Sequence, residues 1–172
     1  MSKKEIETEA KELKEKLFMK KKNAFLRMSD SEIKKCDKFC EGYKRFLDAA
    51  KTEREAVVYI EREAKAAGFA KFDKKKKYKA GDKVYLINRE KAAILAVIGS
   101  EPIENGVNLL AAHIDSPRLD MKQNPLVEKD EVGYFKSHYY GGIKKYQWTT
   151  VPMSLHGVII KADGTKITVN IG

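Results

Sequence analysis

Apolar residues recur every three or four positions through the first third of the chain, which is the period of an amphipathic helix. The first 22 residues carry an apolar stripe made of Ile6, Ala10, Leu13 and Leu17. Two further stripes follow, made of Ile33, Cys36, Cys40, Tyr43 and Leu47, and of Val57, Ile60, Ala64 and Ala67. Capping boxes at Ser29 and Thr52 open the second and third segments, and Gly68 ends the third. The pattern predicts three successive helices.

After Gly68 the pattern changes to short apolar runs and two-residue alternation, which are typical of β-strands. Strands are predicted at residues 83–87, 92–98, 106–112, 119–122, 133–138, 155–161 and 166–171. A turn is predicted at 88–91, and Asp163-Gly164 predicts a hairpin between the last two strands. Helices followed by many strands indicate a mixed α/β fold. The later crossovers of a doubly wound sheet are missing, so we expect this fold to be part of a larger architecture.

Charge changes this picture little. The net charge is +10, and residues 1–83 hold 25 Lys/Arg against 16 Asp/Glu. A basic half is compatible with a nucleic-acid-binding module, but the lysines alternate with glutamates and no aromatic or glycine-rich RNA-binding signature accompanies them. No apolar run approaches the roughly 20 residues needed to span a membrane. The N-terminus also lacks a secretory signal. We therefore expect a cytoplasmic protein with neither nucleic acid nor membrane as its partner.

The candidate chemistry lies at the end of the predicted strand at 106–112, where His113 is followed by Asp115. Residues two apart on a strand point to the same side, so these side chains can share one site. An imidazole that binds a metal commonly donates its other ring N–H to a carboxylate. The alternative is a structural histidine that is hydrogen-bonded to the carboxylate at a strand end. Ser116-Pro117 then breaks the strand.

Other polar residues have plainer interpretations beside functional ones. His138 and His156 are interpreted as structural, hydrogen-bonded histidines rather than ligands. Arg118 and Lys122 could contact a substrate carboxylate, but a salt bridge from this pair to Asp120 or Asp115 is the simpler interpretation. Cys36 and Cys40 have no partner Cys/His pair at zinc-site spacing, so free thiols are expected.

The segment Asn108–Leu119, together with His138–Ile143, resembles the aspartyl aminopeptidase and vacuolar aminopeptidase I family of zinc exopeptidases. The motif His-x-Asp-Ser-Pro followed by Tyr-Gly-Gly carries the resemblance, which covers roughly residues 40–172. Supporting matches are Phe46–Ala50, Tyr85–Arg89 and Ser154–Lys161. By this resemblance, His113 corresponds to the first zinc ligand. Asp115 corresponds to the carboxylate that orients or supports that ligand, and is the candidate catalytic residue.

The resemblance also implies an architecture. It is an α/β fold in which N-terminal helices precede the mixed sheet of a zinc-exopeptidase-like catalytic domain. Residues 1–120 would be the N-terminal part of that domain, and residues 121–172 the start of an inserted β-rich dimerisation domain. The loop Tyr140–Gly142 would lie near the boundary. The fold is expected to be incomplete in this chain.

The implied activity is removal of N-terminal residues from peptides through a metal-activated water at a two-zinc site, with cobalt or manganese as alternative metals. The implied assembly is a homo-oligomer in which dimers build a dodecamer. The stretch after Gly142 lacks the paired acids that the family often carries, which favours a bacterial aminopeptidase I-like branch.

The length of the chain limits what it can do alone. Family members are more than twice as long, and their remaining ligands and general base are expected beyond Gly172. One histidine cannot hold a metal pair, because zinc normally takes three or four protein ligands. We therefore expect no peptidase activity from the isolated chain. The alternative is a non-catalytic oligomerisation or scaffolding fragment.

Overall fold

The three predicted helices precede the sheets, as the apolar pattern indicates, and one further short helix lies between later strands. The computed structural model describes residues 3–19 and 21–172. The helices are α1 (Lys3–Leu17), α2 (Asp30–Ala49), α3 (Glu53–Ala66) and the short α4 (Lys145–Trp148). The strands are β1 (Ala70–Lys71), β2 (Lys83–Asn88), β3 (Ala92–Val97), β4 (Arg118–Lys129), β5 (Val132–Tyr140), β6 (Leu155–Ile160) and β7 (Lys166–Ile171). The chain divides into two compact units, Met1–Tyr43 and Lys44–Gly172.

The first unit contains α1 and the beginning of α2. The predicted apolar stripe of α1 is exposed where it is described, with Leu13 at 57% and Leu17 at 68% accessibility. Residues 1, 2 and 20 of the predicted first helix, and the side chain of Ile6, lie outside the described part. The capping box that opens α2 is confirmed, because the backbone N–H of Ser29 donates to the Glu32 carboxylate at 2.8 Å.

Helix α3 begins with a complete capping box between Thr52 and Glu55, as the sequence predicts. Its inward face buries Ala56, Val57 and Ala64. The chain leaves the helix through Gly68 at φ +81°, a left-handed conformation that glycine adopts without steric cost. The helix therefore begins and ends where local sequence signals place it.

Helix α3 packs against β2 and β3 of a three-stranded mixed sheet in the order β1–β2–β3. Strands β1 and β2 are parallel, whereas β2 and β3 are antiparallel and pair from Lys83–Val97 to Asn88–Ala92. Among the described residues, the buried apolar core consists of Ala50, Ala56, Val57, Ala64, Val84 and Tyr85. The mixed α/β character predicted from the sequence is confirmed.

The predicted strand over residues 106–112 is wrong. A short 3-10 helix, Ile103–Asn105, precedes this segment, and residues 106–117 form no strand. An apolar run becomes a strand only where neighbouring strands satisfy its backbone groups, and the structure places none beside this one. Leu109 and Leu110 are accordingly 81% and 98% exposed. His113 and Asp115 therefore lie in a loop that precedes β4.

Two antiparallel hairpins follow. Strands β4 and β5 are longer than predicted, and their register shifts between Met121 and Leu126. Pro125 lies in that interval, as expected for a residue that cannot donate to the strand ladder. Strands β6 and β7 pair from Leu155–Ile171 to Ile160–Lys166, which confirms the predicted hairpin. In the described residues, no helix combines the length and apolar composition needed to cross a membrane.

Candidate metal centre

His113 is held in one orientation by the loop that follows it. Its ring Nδ1 lies 2.9 Å from the Asp115 backbone carbonyl and 3.2 Å from Asp115 Oδ1. Both partners are acceptors without a hydrogen, so Nδ1 is the donor and Nε2 keeps its lone pair. The side chain is 81% exposed, which leaves Nε2 open to a ligand. The structure thus brings together the two residues that the sequence singles out.

Asp115 is in turn fixed by Tyr140 at the end of β5. The Tyr140 hydroxyl donates a 2.6 Å hydrogen bond to Asp115 Oδ2. That bond is the main reason that the pKa of Asp115 lies below its usual value, and it raises the pKa of Tyr140. The carboxylate is therefore kept ionised, with one oxygen on tyrosine and the other on histidine.

Arg118 supports the tyrosine from the first residue of β4. Its guanidinium lies 4.1 Å from the centroid of the Tyr140 ring, a cation–π distance. It donates to Asp120 Oδ1 at 2.7 Å and to Glu53 Oε1 at 3.1 Å. The bond to Asp120 confirms the salt bridge that was the simpler of the two interpretations of Arg118.

The other two histidines lie apart from this arrangement. His138 is exposed, and its Nδ1 contacts the Tyr139 carbonyl at 3.1 Å. His156 Nδ1 lies 2.8 Å from Glu55 Oε1, and its Nε2 lies 2.8 Å from the Ser154 hydroxyl. The Glu55 contact joins α3 to β6 across 101 residues of sequence. No local sequence pattern predicts the contact between His156 and Glu55, although the Thr52 capping box does place Glu55 at the start of α3.

The donors present fit part of a zinc site. An imidazole with Nδ1 bound to a carboxylate and Nε2 free is the usual form of a zinc-binding histidine. Zinc requires three or four protein ligands. Within residues 3–19 and 21–172, no three His, Cys, Asp or Glu side chains are grouped closely enough to hold a metal. His113 thus supplies one ligand of a site that needs more.

A helix-and-mixed-sheet fold that carries a histidine–carboxylate pair fits the metallopeptidase class. A sequence model of the family described as aminopeptidase I zinc metalloprotease (M18) matches residues 46–172. The chain therefore belongs to the M18 aminopeptidase family, as the motifs predict.

Relatives and solved structures agree with this assignment. The chain is 46% identical over 154 residues to a probable M18 family aminopeptidase 1 of Borreliella afzelii, and 44% identical over 160 residues to that of Clostridium acetobutylicum. These matches cover 90% and 91% of the chain but 34% of each relative. The crystal structure of aminopeptidase I from Borrelia burgdorferi B31 superimposes with a TM-score of 0.82 at 42% identity, covering 88% of this chain and 37% of that one.

The coverage has a direct consequence for the site. The chain spans about a third of the length of the curated relatives it matches. This agrees with the expectation that the fold is part of a larger architecture. The matches assign this chain to the family, whereas peptidase activity, substrates and assembly are properties of proteins about three times as long.

Proposed function

We propose that this chain supplies the first metal ligand, His113, and its supporting carboxylate, Asp115, to a two-zinc aminopeptidase. The observation that carries the proposal is the pair of Nδ1 contacts to Asp115 at 2.9 and 3.2 Å, which leaves Nε2 free. Zinc, when bound, supplies a Lewis acid for the scissile carbonyl and an activated water. His113 would hold the metal through Nε2, and Asp115 would maintain the ring orientation that such a bond requires.

The remaining ligands and the general base would come from the other two-thirds of the longer protein. The isolated chain is then inactive towards peptides, because one histidine cannot hold two metal ions. This proposal is supported by the 34% coverage of the relatives and by the lack of a three-donor cluster in the described part.

The proposed domain division is residues 1–120 for the catalytic part and 121–172 for the start of the inserted dimerisation domain. Most of β4, all of β5 and the β6–β7 hairpin belong to the second segment. Two-stranded hairpins are marginally stable alone and need a further surface to cover their apolar side chains. Exposed Leu126, Val132 and Phe135 on β4 and β5 are suited to that role. They support a homo-oligomer, for which size-exclusion chromatography with light scattering is the test.

The alternative, a scaffolding fragment with no part in catalysis, is favoured by the same exposed apolar residues. Metal binding separates the two proposals. The measurement is made in the longer protein, because His113 alone is one ligand of a site that needs three or four. His138→Ala is the matched control for His113→Ala and should leave the zinc content unchanged.

In the longer protein, we expect His113→Ala to weaken zinc binding at least about 100-fold, since even supporting residues of metal ligands contribute 10–100-fold. Peptidase activity should fall with the metal content. Bound zinc is measured by elemental analysis after dialysis, and activity with unblocked peptides. Full zinc content and activity in the variant would contradict the assignment of His113.

A further inference from the structure

The Asp115 carboxylate divides its two oxygens between two side chains. Oδ1 accepts from His113 Nδ1 at 3.2 Å, while Oδ2 accepts from the Tyr140 hydroxyl at 2.6 Å. A carboxylate anchored at one oxygen by a short hydrogen bond cannot rotate freely about its side-chain torsion. The oxygen that faces His113 is therefore held in place by tyrosine.

We propose that Tyr140 is a positioning residue for His113, acting through Asp115, and that Arg118 keeps the tyrosine in place. This inference rests on the proposed function, in which His113 is the metal ligand. The Tyr140 hydroxyl donates to Asp115 rather than to the imidazole. It acts by holding the Asp115 carboxylate against Nδ1, beside the Asp115 backbone carbonyl that accepts from the same nitrogen at 2.9 Å, and so strengthens the preference for a proton on Nδ1.

Strand pairing explains why Arg118 is the residue that contacts the Tyr140 ring. Arg118 and Tyr140 are directly opposite each other in the β4–β5 register, so their side chains emerge on the same face. The guanidinium lies 4.1 Å from the ring centroid and is anchored by Asp120 and Glu53. The guanidinium beside the tyrosine ring is therefore held by one carboxylate from α3 and one from β4.

The tautomer matters because the His113 side chain is exposed to water. Free neutral imidazole side chains favour the Nε2–H form, in which Nε2 cannot bind a metal. Two Asp115 acceptors at Nδ1, the backbone carbonyl at 2.9 Å and the carboxylate at 3.2 Å, favour the other form, and Tyr140 acts on the carboxylate alone. If only a fraction of the chains had the proton on Nδ1, the apparent affinity for metal would fall by that fraction. Hydrogen bonds that favour the Nδ1–H form before metal binds reduce this loss.

The test is the tautomer of His113, measured by nitrogen-15 NMR of the histidine rings in the 172-residue chain. Its three histidines make the spectrum simple, and His113→Ala assigns the signals. The pH is kept about two units above the ordinary imidazole pKa of about 6.5, so that the rings are neutral. We expect mainly the Nδ1–H form in the unaltered chain.

Tyr140→Phe removes the hydroxyl and keeps the ring. We expect the ratio of Nδ1–H to Nε2–H at His113 to fall about two- to fivefold, the size of effect suited to the loss of one exposed hydrogen bond. Arg118→Met should lower the ratio in the same direction. Tyr139→Phe is the matched control, since its neighbouring position faces the other side of the strand, and should not change the ratio. A ratio unchanged by Tyr140→Phe would overturn the inference.

The zinc content of the longer protein separates this inference from the proposed function. In the longer protein, where the other ligands are present, both stand if His113→Ala lowers the zinc content strongly and Tyr140→Phe lowers it more than Tyr139→Phe. If His113→Ala leaves the zinc content of the longer protein unchanged, the metal-ligand proposal fails. The tautomer comparison still decides the role of Tyr140 in that case, because it needs no metal.

Discussion

Glu55 is the residue that most clearly connects local and long-range structure. One carboxylate oxygen accepts hydrogen bonds from the backbone N–H and hydroxyl of Thr52, at 2.9 and 3.1 Å, and completes the cap of α3. The other oxygen lies 2.8 Å from His156 on β6. Burial, the largest single influence, raises the pKa of Glu55, but the bonds from His156 and Thr52 together lower it below 4.5.

This lowered pKa predicts a pH-dependent contribution to stability. Folding favours the ionised form, so the contribution is present above the unfolded-state pKa of about 4.5 and is lost as the pH falls through the lower folded-state value. We expect Glu55→Gln to reduce the free energy of unfolding by about 1 kcal/mol at neutral pH. Below the folded-state pKa, the variant and the unaltered chain should converge.

Urea unfolding of both proteins across that pH range measures the effect. Glutamine preserves the side-chain length and can still occupy the third position of a capping box, so the change mainly removes the charge. Glu128→Gln on exposed β4 is the control and should leave the pH profile unchanged. A stability difference that stays constant into acid would show that the charge of Glu55 is not responsible.

At the scale of elements, sequence signals between neighbouring residues predict helix starts and turns correctly. Pairings between distant segments cannot be predicted from such signals. The α3 capping box and the β6–β7 turn depend on residues within a few positions of one another, and both are confirmed. The strand predicted at 106–112 needed a neighbouring strand that its own sequence cannot specify. The contact between Tyr140 and Asp115 is likewise hidden, because it depends on the β4–β5 register across a shift. The sequence could therefore propose His113 and Asp115 as a pair, and Tyr140 as part of a motif, but not the bond from Tyr140 to Asp115.

The β6–β7 turn offers a prediction at this scale. Gly164 has φ +84°, and Asp163 Oδ1 accepts from the Thr165 backbone N–H at 2.9 Å. A Cβ at Gly164 meets nothing within 4 Å, so backbone conformation rather than crowding determines the cost of a substitution. We expect Gly164→Ala to destabilise the hairpin by about 1–2 kcal/mol, the cost of a left-handed conformation for an L-residue.

Gly157 in the same hairpin provides the matched control. A Cβ there also meets nothing within 4 Å, and its φ lies outside the left-handed region. Gly157→Ala should therefore cost much less than Gly164→Ala. Hydrogen exchange of the β6–β7 amides reports the local effect. Equal protection in the two variants would mean that the turn conformation does not limit hairpin stability.

At the scale of the whole molecule, apolar burial is concentrated in one place. The buried apolar residues of the described part lie in α3, in β2 and just after α2. Many large apolar side chains elsewhere are exposed, including Leu109 and Leu110, Leu126 and Phe135. The β4–β5 and β6–β7 hairpins are separate two-stranded sheets, a size that is marginal without additional packing. Stability should therefore depend on α3 and its sheet far more than on the segment that leads to His113.

Two substitutions test this distribution directly. Val57→Ala removes part of a side chain that is 2% exposed, and we expect it to cost about 1.5–2.5 kcal/mol. Leu110→Ser changes a side chain that is 98% exposed, and should alter stability by less than about 0.5 kcal/mol. Leu110→Ser should also reduce the binding of an apolar fluorescent dye to the chain, whereas Val57→Ala should not. If Leu110→Ser destabilised the chain as strongly as Val57→Ala, residues 106–112 would have to be packed in solution, because an exposed leucine has little burial to lose.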